Sequence, residues 1–230
     1  MVVAGVPAAT CRFAICRLTI CLTALGCCSC SLFGDTPGLS REQALAAPAT
    51  DFAPNAVTIG VQAQARLNPS EGQAHTVVVG VLQAAGLDVL RALAQEPQRV
   101  DEALAGGVLP SGILQLVRFV VQPGQTCTMQ LDRVQQARAV GLAVGYAQPD
   151  AGTALRVFAI PLLLHAQGWL SPRYTAATGP LHLRLRLGAR QVLEAGVTQA
   201  SLHRHAGPAA SAPGAPPPPA ALPCRRMPAD

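Results

Sequence analysis

The sequence of 230 residues contains no lysine and is poor in aromatic residues (3%) and charged residues (13%). A core therefore has to be built from Val, Leu, Ile and Ala, because half of the chain is hydrophobic but few large rings are available. Arginine alone carries the net charge of +5. The arginines are scattered and have no aromatic residues between them, which favours solvated faces over nucleic-acid binding.

Motifs for catalysis and cofactor binding are also missing. The chain has no Gly-x-Ser-x-Gly, His-Glu-x-x-His, phosphate loop or dinucleotide fingerprint. Ser111 in "LPSGI" has no histidine near it in sequence. His203 and His205 are a metal-binding alternative, but they precede a proline-rich segment where exposed side chains are expected. We therefore predict a protein that is not an enzyme and has no metal or cofactor.

The apolar run near the N-terminus is short. Arg12 and Arg17 precede "LTICLTALG", an uncharged run over residues 18–26. A transmembrane helix needs about 20 apolar residues, so this run is too short. Positive charge, a short apolar run and small residues before a cleavage point are typical of a secretory signal. We predict a signal peptide over residues 1–26.

The residues "ALGC", ending at Cys27, resemble a bacterial lipobox, in which the cysteine is acylated and becomes the new N-terminus. We therefore predict a covalent lipid on Cys27. The following residue, Cys28, is not the Asp that often retains lipoproteins in the inner membrane. The sequence thus predicts a lipid-anchored protein on the periplasmic face of the outer membrane. A soluble secreted protein cleaved nearby is the alternative.

The other cysteines do not form a recognisable framework. Six of the eight lie in the first 30 residues, whereas a disulfide framework would be spread through the fold. The Cys27-Cys28-Ser29-Cys30 stretch holds one Cys-x-x-Cys and no second pair follows, which argues against a metal site. Cys127 shares a strand face with Met129 and Leu131, so we predict a buried apolar cysteine; a disulfide with Cys224 is the alternative.

Strand patterns fill the middle of the chain. In "LHLRLRL", residues 181–187, four leucines alternate with His182, Arg184 and Arg186. About seven such segments, separated by tight turns, predict an all-β antiparallel sandwich over residues 55–190. The strands begin near residues 57, 76, 113, 126, 139, 154 and 181.

Three other segments depart from the strand pattern. Leucines at helical spacing between Leu87 and Gly107 predict a small helical insertion between the second and third strands. Residues 27–54 have little periodicity and predict a flexible tether. Residues 191–230 form an extension that ends in a Pro- and Ala-rich tail, predicted to be disordered.

The order of these features resembles the TssJ (VasD, Lip) family of type VI secretion lipoproteins. The resemblance covers roughly residues 55–162 and is carried by "ARLNPSEGQAHTVVVGVLQ", "FVVQPGQTCTMQL", "ARAVGLAVGYAQPD" and "LRVFAIPL". It implies a transthyretin-like β-sandwich with an added helical element. It also implies an anchor under the outer membrane that binds the periplasmic domain of the inner-membrane protein TssM.

The same resemblance implies a partner-binding loop between the first two strands. The loop residues are Asn68, Pro69, Ser70, Glu71, Gly72 and Gln73. A plain hairpin connection would have a similar composition, because loops are polar for many reasons. The alternative function is a periplasmic sandwich that binds a glycan or small ligand, for which Trp169, Tyr174 and Tyr146 are the available aromatic residues.

Overall fold

The computed structural model describes residues 39–150, 155–169, 171–198 and 222–228 of the chain. The elements in chain order are α1 Arg41–Ala46, β1 Ala53–Ala63, β2 Val77–Ala84, α2 Leu87–Leu93, α3 Pro97–Leu104, β3 Ile113–Val121, β4 Thr126–Arg133, β5 Ala139–Gly145, β6 Leu155–Ala159, β7 Leu162–Gln167, β8 Arg173–Thr178, β9 Leu181–Leu187, β10 Val192–Val197 and β11 Arg225–Arg226. Strands dominate, and α2 and α3 lie between β2 and β3. The predicted all-β class with a small helical insertion is confirmed.

Two sheets enclose the main core. One has four strands in the order β10-β9-β1-β4, and the other has five in the order β11-β3-β2-β5-β6. We call the first the open sheet and the second the covered sheet. The strand pairs of both sheets are antiparallel except β1 with β9, which is parallel. The buried side chains of both inner faces form one cluster, as expected for a sandwich.

The open sheet buries one face only. In β9 the leucines are buried while Arg184 and Arg186 are exposed, as the alternation predicts. In β1, Ile59 and Val61 point into the core and Gly60 and Gln62 are exposed. The outer face of this sheet is therefore polar.

The covered sheet is buried on both faces because α2 and α3 pack against its outer side. Small residues on β2 and β5 make room for the helices: a side chain at Gly80 would overlap Leu104, and one at Gly141 would lie 3.1 Å from Leu90 Cδ2. This packing forms a second cluster beside the main core. The glycines and alanines of "AVGLAVG" therefore lie beneath helices.

The structure corrects the part of the predicted tether that it describes, residues 39–54; residues 27–38 lie outside the described residues. Residues 41–46 form α1, which begins at Ser40, and Ala44 is buried. Ser40 Oγ accepts a hydrogen bond from the Gln43 amide, and Gln43 Oε1 accepts one from the Ser40 amide. This capping box is encoded in "SREQ". Residues 39–54 are thus ordered against the domain, not a flexible linker.

Four strands were not among the seven predicted. The β7–β8 hairpin forms a separate two-stranded sheet that packs mainly against α1. β10 extends the open sheet past the predicted boundary at residue 190. Residues 222–228, here called the clasp segment, contain β11 and lie within the predicted disordered tail. These strands are short and lack regular alternation, so their patterns are weak.

The clasp segment joins the edges of both sheets. Arg225 and Arg226 pair with β3 of the covered sheet, and Pro223 forms a bridge to Thr128 of the open sheet. Cys224 forms a disulfide with Cys127. Cys127 is buried, as predicted. It is not a free cysteine, however, so the alternative prediction of a disulfide with Cys224 is confirmed. The clasp also covers two sheet edges that would otherwise be unpaired.

Candidate functional site

The predicted partner loop connects β1 to β2 and ends in a narrow tip. Ser70 and Gln73 exchange two backbone hydrogen bonds of 2.9 Å, closing a two-residue turn. Glu71 (φ 51°) and Gly72 (φ 81°) both have positive φ, which is the requirement of a type I′ turn. The tip is therefore a tight hairpin and not an irregular loop.

Asn68 fixes the base of this loop. It is 9% exposed and has a positive φ of 47°. Its side-chain amide donates to Thr76 O (3.0 Å), and its Oδ1 accepts from the Ala147 amide (2.9 Å). One side chain thus ties the loop to itself and to the segment after β5. Asn68 acts as a positioning residue, because little of it is available to a partner.

The six predicted loop residues therefore divide into two groups. Asn68 is buried, and Pro69 and Ser70 are half-buried, whereas Glu71, Gly72 and Gln73 are exposed at the tip. The loop belongs to a larger surface, because four connections leave the sandwich at this end. We call this surface the loop end; it consists of residues 64–76, 122–125, 146–150 and 188–191.

Tyr146 binds two of these connections together. Its hydroxyl donates to Gln191 O (2.9 Å) and lies 3.3 Å from Gly188 O. Burial raises the pKa of the Tyr146 hydroxyl above its ordinary value, so it remains a donor. The sequence predicts only tight turns at these connections. What it could not predict is that strand directions bring those turns beside the Asn68 loop.

The opposite end of the sandwich is where the described chain begins; we call it the tether end. The Arg133 guanidinium donates to Thr178 O and Gly179 O (2.9 Å each) and to Asp51 O (3.1 Å). Burial lowers the pKa of Arg133, and nearby Asp51 acts in the opposite direction. These bonds connect β4 to the segment before β1 and to the end of β8, so they hold the hairpin and α1 against this end.

Comparisons with known proteins identify the family. No curated protein matches the chain. Solved structures that match include the lipoprotein TssJ1 of Pseudomonas aeruginosa (22% identity, 66% of this chain, 98% of that chain, TM-score 0.45) and Lip of Serratia marcescens (16%, 62%, 96%, 0.42). A further match is described as the TssM C-terminal domain from EAEC (15%, 62%, 96%, 0.42). The family model "Type VI secretion lipoprotein, VasD, EvfM, TssJ" matches residues 55–187, more than half of the chain.

The chain belongs to this family of type VI secretion lipoproteins. The matched range runs from residue 55, within β1, to the end of β9, so it includes the β1–β2 loop, both helices of the insertion and residues 64–76, 122–125 and 146–150 of the loop end. Residues 188–191 of the loop end lie just beyond it. The resemblance that the sequence motifs predicted is confirmed. α1 and the clasp segment lie outside the matched range.

In this type VI secretion lipoprotein, several predicted positions lie outside the described residues. Cys27, with the signal peptide before it, is one, and His203 and His205 are others. Among residues 39–150, 155–169, 171–198 and 222–228, no group of three or more His, Cys, Asp or Glu is arranged to hold a metal ion. None of the helices in these ranges has the length and apolar character needed to cross a membrane.

Two clefts bear on the ligand-binding alternative. One, of about 370 Å³, lies between the start of α2 and the end of β6 and is lined by aliphatic residues with Asp88 and Arg138. The other, of about 350 Å³, runs beside α2 and includes Ser111. Neither is lined by an aromatic or histidine side chain. Tyr146 is buried at the loop end, whereas Trp169 and Tyr174 are on the β7–β8 hairpin, so the three predicted rings do not lie together in one site.

Proposed function

We propose that the chain is an outer-membrane lipoprotein that is acylated on Cys27 and presents its loop end to the periplasmic domain of TssM. Family membership supports a place in the type VI secretion apparatus. The lipobox-like "ALGC" supports the acylation, and Cys28 in place of Asp supports the outer membrane. The protein would act as a structural link between two membranes, without catalysis.

The observation that carries this proposal is the separation of the two ends. β1 begins at the tether end and finishes, after eleven residues, at the loop end. Eleven strand residues span about 35 Å. A protein held by its N-terminus at the tether end would therefore present the exposed tip at Glu71 and Gln73 to a partner on the other side of the periplasm.

The anchoring is tested by replacing Cys27 with Ser and fractionating the envelope. Bacterial lipoproteins carry three acyl chains, which is enough for stable attachment, since one chain alone binds only marginally. We expect the wild type in the outer-membrane fraction and Cys27→Ser in the soluble periplasm. Retention of Cys27→Ser in the outer membrane would contradict the proposal.

Partner binding is tested by reversing a charge at the tip. Glu71→Arg keeps a non-glycine residue at the same positive φ and changes only an exposed side chain. We expect weaker binding to the TssM periplasmic domain, by about tenfold, or about 1.4 kcal/mol. The matched control is Glu102→Arg on α3, another exposed glutamate, which is not one of the loop-end residues. Equal affinities for both variants would remove the tip from the interface.

A further inference from the structure

The β7–β8 hairpin exposes the only tryptophan of the sequence. Trp169 follows Gly168 (φ 89°) in the turn of the hairpin and is 91% exposed. Large aromatic side chains gain free energy from burial, so contact with a partner surface would stabilise this solvated indole. The proposed TssM contact does not use Trp169, because the hairpin joins the rest of the domain at the tether end.

The position of the N-terminal segment indicates what that partner is. The Tyr174 amide donates to Leu39 O (3.2 Å), so the first described residue lies beside the outer half of the hairpin. Tyr174 directly follows Arg173, which pairs with Gln167 next to the turn. Between Cys27 and Leu39 there are 39 − 27 = 12 residue steps. Such a segment reaches at most about 40 Å, so an acylated Cys27 would hold Leu39, and the hairpin strand beside it, within that distance of the membrane.

The charge of the hairpin region suits a phospholipid surface. Residues 160–180 contain no Asp or Glu, and their ionisable side chains are His165, Arg173 and Tyr174. α1, which packs beside the hairpin, carries Arg41 and Glu42, whose charges cancel. No acidic group of the hairpin itself would therefore repel anionic headgroups. Tryptophan is enriched at the membrane–water interface, since its ring is apolar and its N–H is polar.

We propose that Trp169 inserts into the headgroup region of the phospholipid leaflet that holds the acylated N-terminus. This inference rests on the proposed acylation of Cys27 and adds a second membrane contact to it. A tether alone leaves the sandwich free to rotate. Insertion of the hairpin tip would fix the tether end against the leaflet and point the loop end into the periplasm.

The single tryptophan makes this inference directly measurable by fluorescence. The full-length acylated protein is reconstituted into vesicles of phosphatidylethanolamine and phosphatidylglycerol. We expect a blue shift of the emission and quenching by lipids brominated on the upper acyl chain. Iodide quenching should fall about twofold or more relative to the Cys27→Ser protein, which carries no acyl chains, in buffer without lipid, as for an indole at headgroup depth.

A reporter at the other end of the molecule is the matched control. The Trp169→Phe/Gln73→Trp variant keeps one indole but moves it to the exposed tip of the loop end. It should stay accessible to iodide and insensitive to brominated lipid. If Trp169 behaves like this reporter while the protein floats with the vesicles, the hairpin inference is overturned and the lipid anchor stands. If the protein does not float with vesicles, both are overturned.

A protein partner would give a different result. If the emission of Trp169 shifts on adding the TssM periplasmic domain or on raising the protein concentration, and not on adding vesicles, the tip binds protein and the inference is overturned.

Discussion

The open and covered sheets share one core but differ in what lies outside them. The open sheet turns His182, Arg184 and Arg186 outward, whereas the outer face of the covered sheet is packed beneath α2 and α3. Each strand of the open sheet therefore needs one apolar face. The central strands β2 and β5 of the covered sheet need two, and the helix-facing side of β5 is built only from glycine and alanine.

This difference shows how position in the fold decides what a glycine does. Gly60 and Gly80 lie near the middle of β1 and β2, which follow one another in the chain but belong to different sheets, and neither has positive φ. Gly80 lies under Leu104 and Leu116, while the nearest atom to a Cβ at Gly60 is Leu183 O at 3.9 Å. Packing therefore requires a glycine at position 80 but not at position 60.

The largest predicted effect comes from separating the two sheets at their edge. Replacing both Cys127 and Cys224 with Ser removes a disulfide that spans 97 residues. The chain-entropy model gives about 4 to 5 kcal/mol of lost stability for a loop of that length. Urea unfolding under oxidising conditions measures it, and adding a reductant should lower the wild type to the level of the variant. Unchanged unfolding of the variant would show that the clasp segment does not hold the sheets together.

The next effect removes packing from the covered sheet. Leu90 on α2 is fully buried against the outer face, so Leu90→Ala should lower the free energy of unfolding by about 3 kcal/mol. Leu193→Ala on β10 of the open sheet is the control, since Leu193 is 46% exposed. We expect it to change stability by less than about 0.5 kcal/mol. Equal losses at both positions would mean that the helices contribute no more than a surface side chain.

Sequence patterns predicted best the strands whose side chains alternate between core and solvent. "LHLRLRL" alternates strictly because one face of β9 meets the core and the other meets solvent. The "VGLAVG" pattern also gave a strand, although the role of its small residues follows only from helices that pack on it. The sandwich was predictable from such strands together with the turns between them. The family resemblance was predictable because stretches such as "QPGQ" and "LNPSEGQ" have characteristic residues.

Other parts depend on contacts that sequence spacing does not encode. The Cys127–Cys224 disulfide joins residues 97 positions apart, and nothing in either local sequence chooses the pair. The β7–β8 hairpin packs against α1, and α1 begins with a capping box in "SREQ". This four-residue signal is too short to stand out in a sequence that otherwise predicts a linker there. Within the candidate site, the separate roles of Asn68 and Glu71 came from hydrogen bonds and exposure. Whether the tip binds TssM stays a prediction.

A smaller effect is expected when one methyl group is added to the covered sheet beneath α3. In Gly80→Ala the new Cβ would overlap the Leu104 side chain and lie 3.1 Å from Leu116 Cδ1. Crowding of this kind costs about 1 to 3 kcal/mol, partly offset by the entropy advantage of alanine over glycine. We therefore expect a net loss of about 1 kcal/mol in urea unfolding. Leu104→Ala in the same chain should relieve the clash, so the double variant should lose less than the sum of the single changes.

The smallest effect has the opposite sign and comes from the same substitution on the open sheet. In Gly60→Ala the added methyl group points to solvent, with Leu183 O as its only neighbour within 4 Å. Glycine in a strand is less stable than alanine by about 0.5 kcal/mol because it loses more backbone entropy on folding. Gly60→Ala should therefore unfold at a slightly higher urea concentration than the wild type. A loss as large as that of Gly80→Ala would mean that the outer face of the open sheet is covered too, and the contrast between the two sheets would fail.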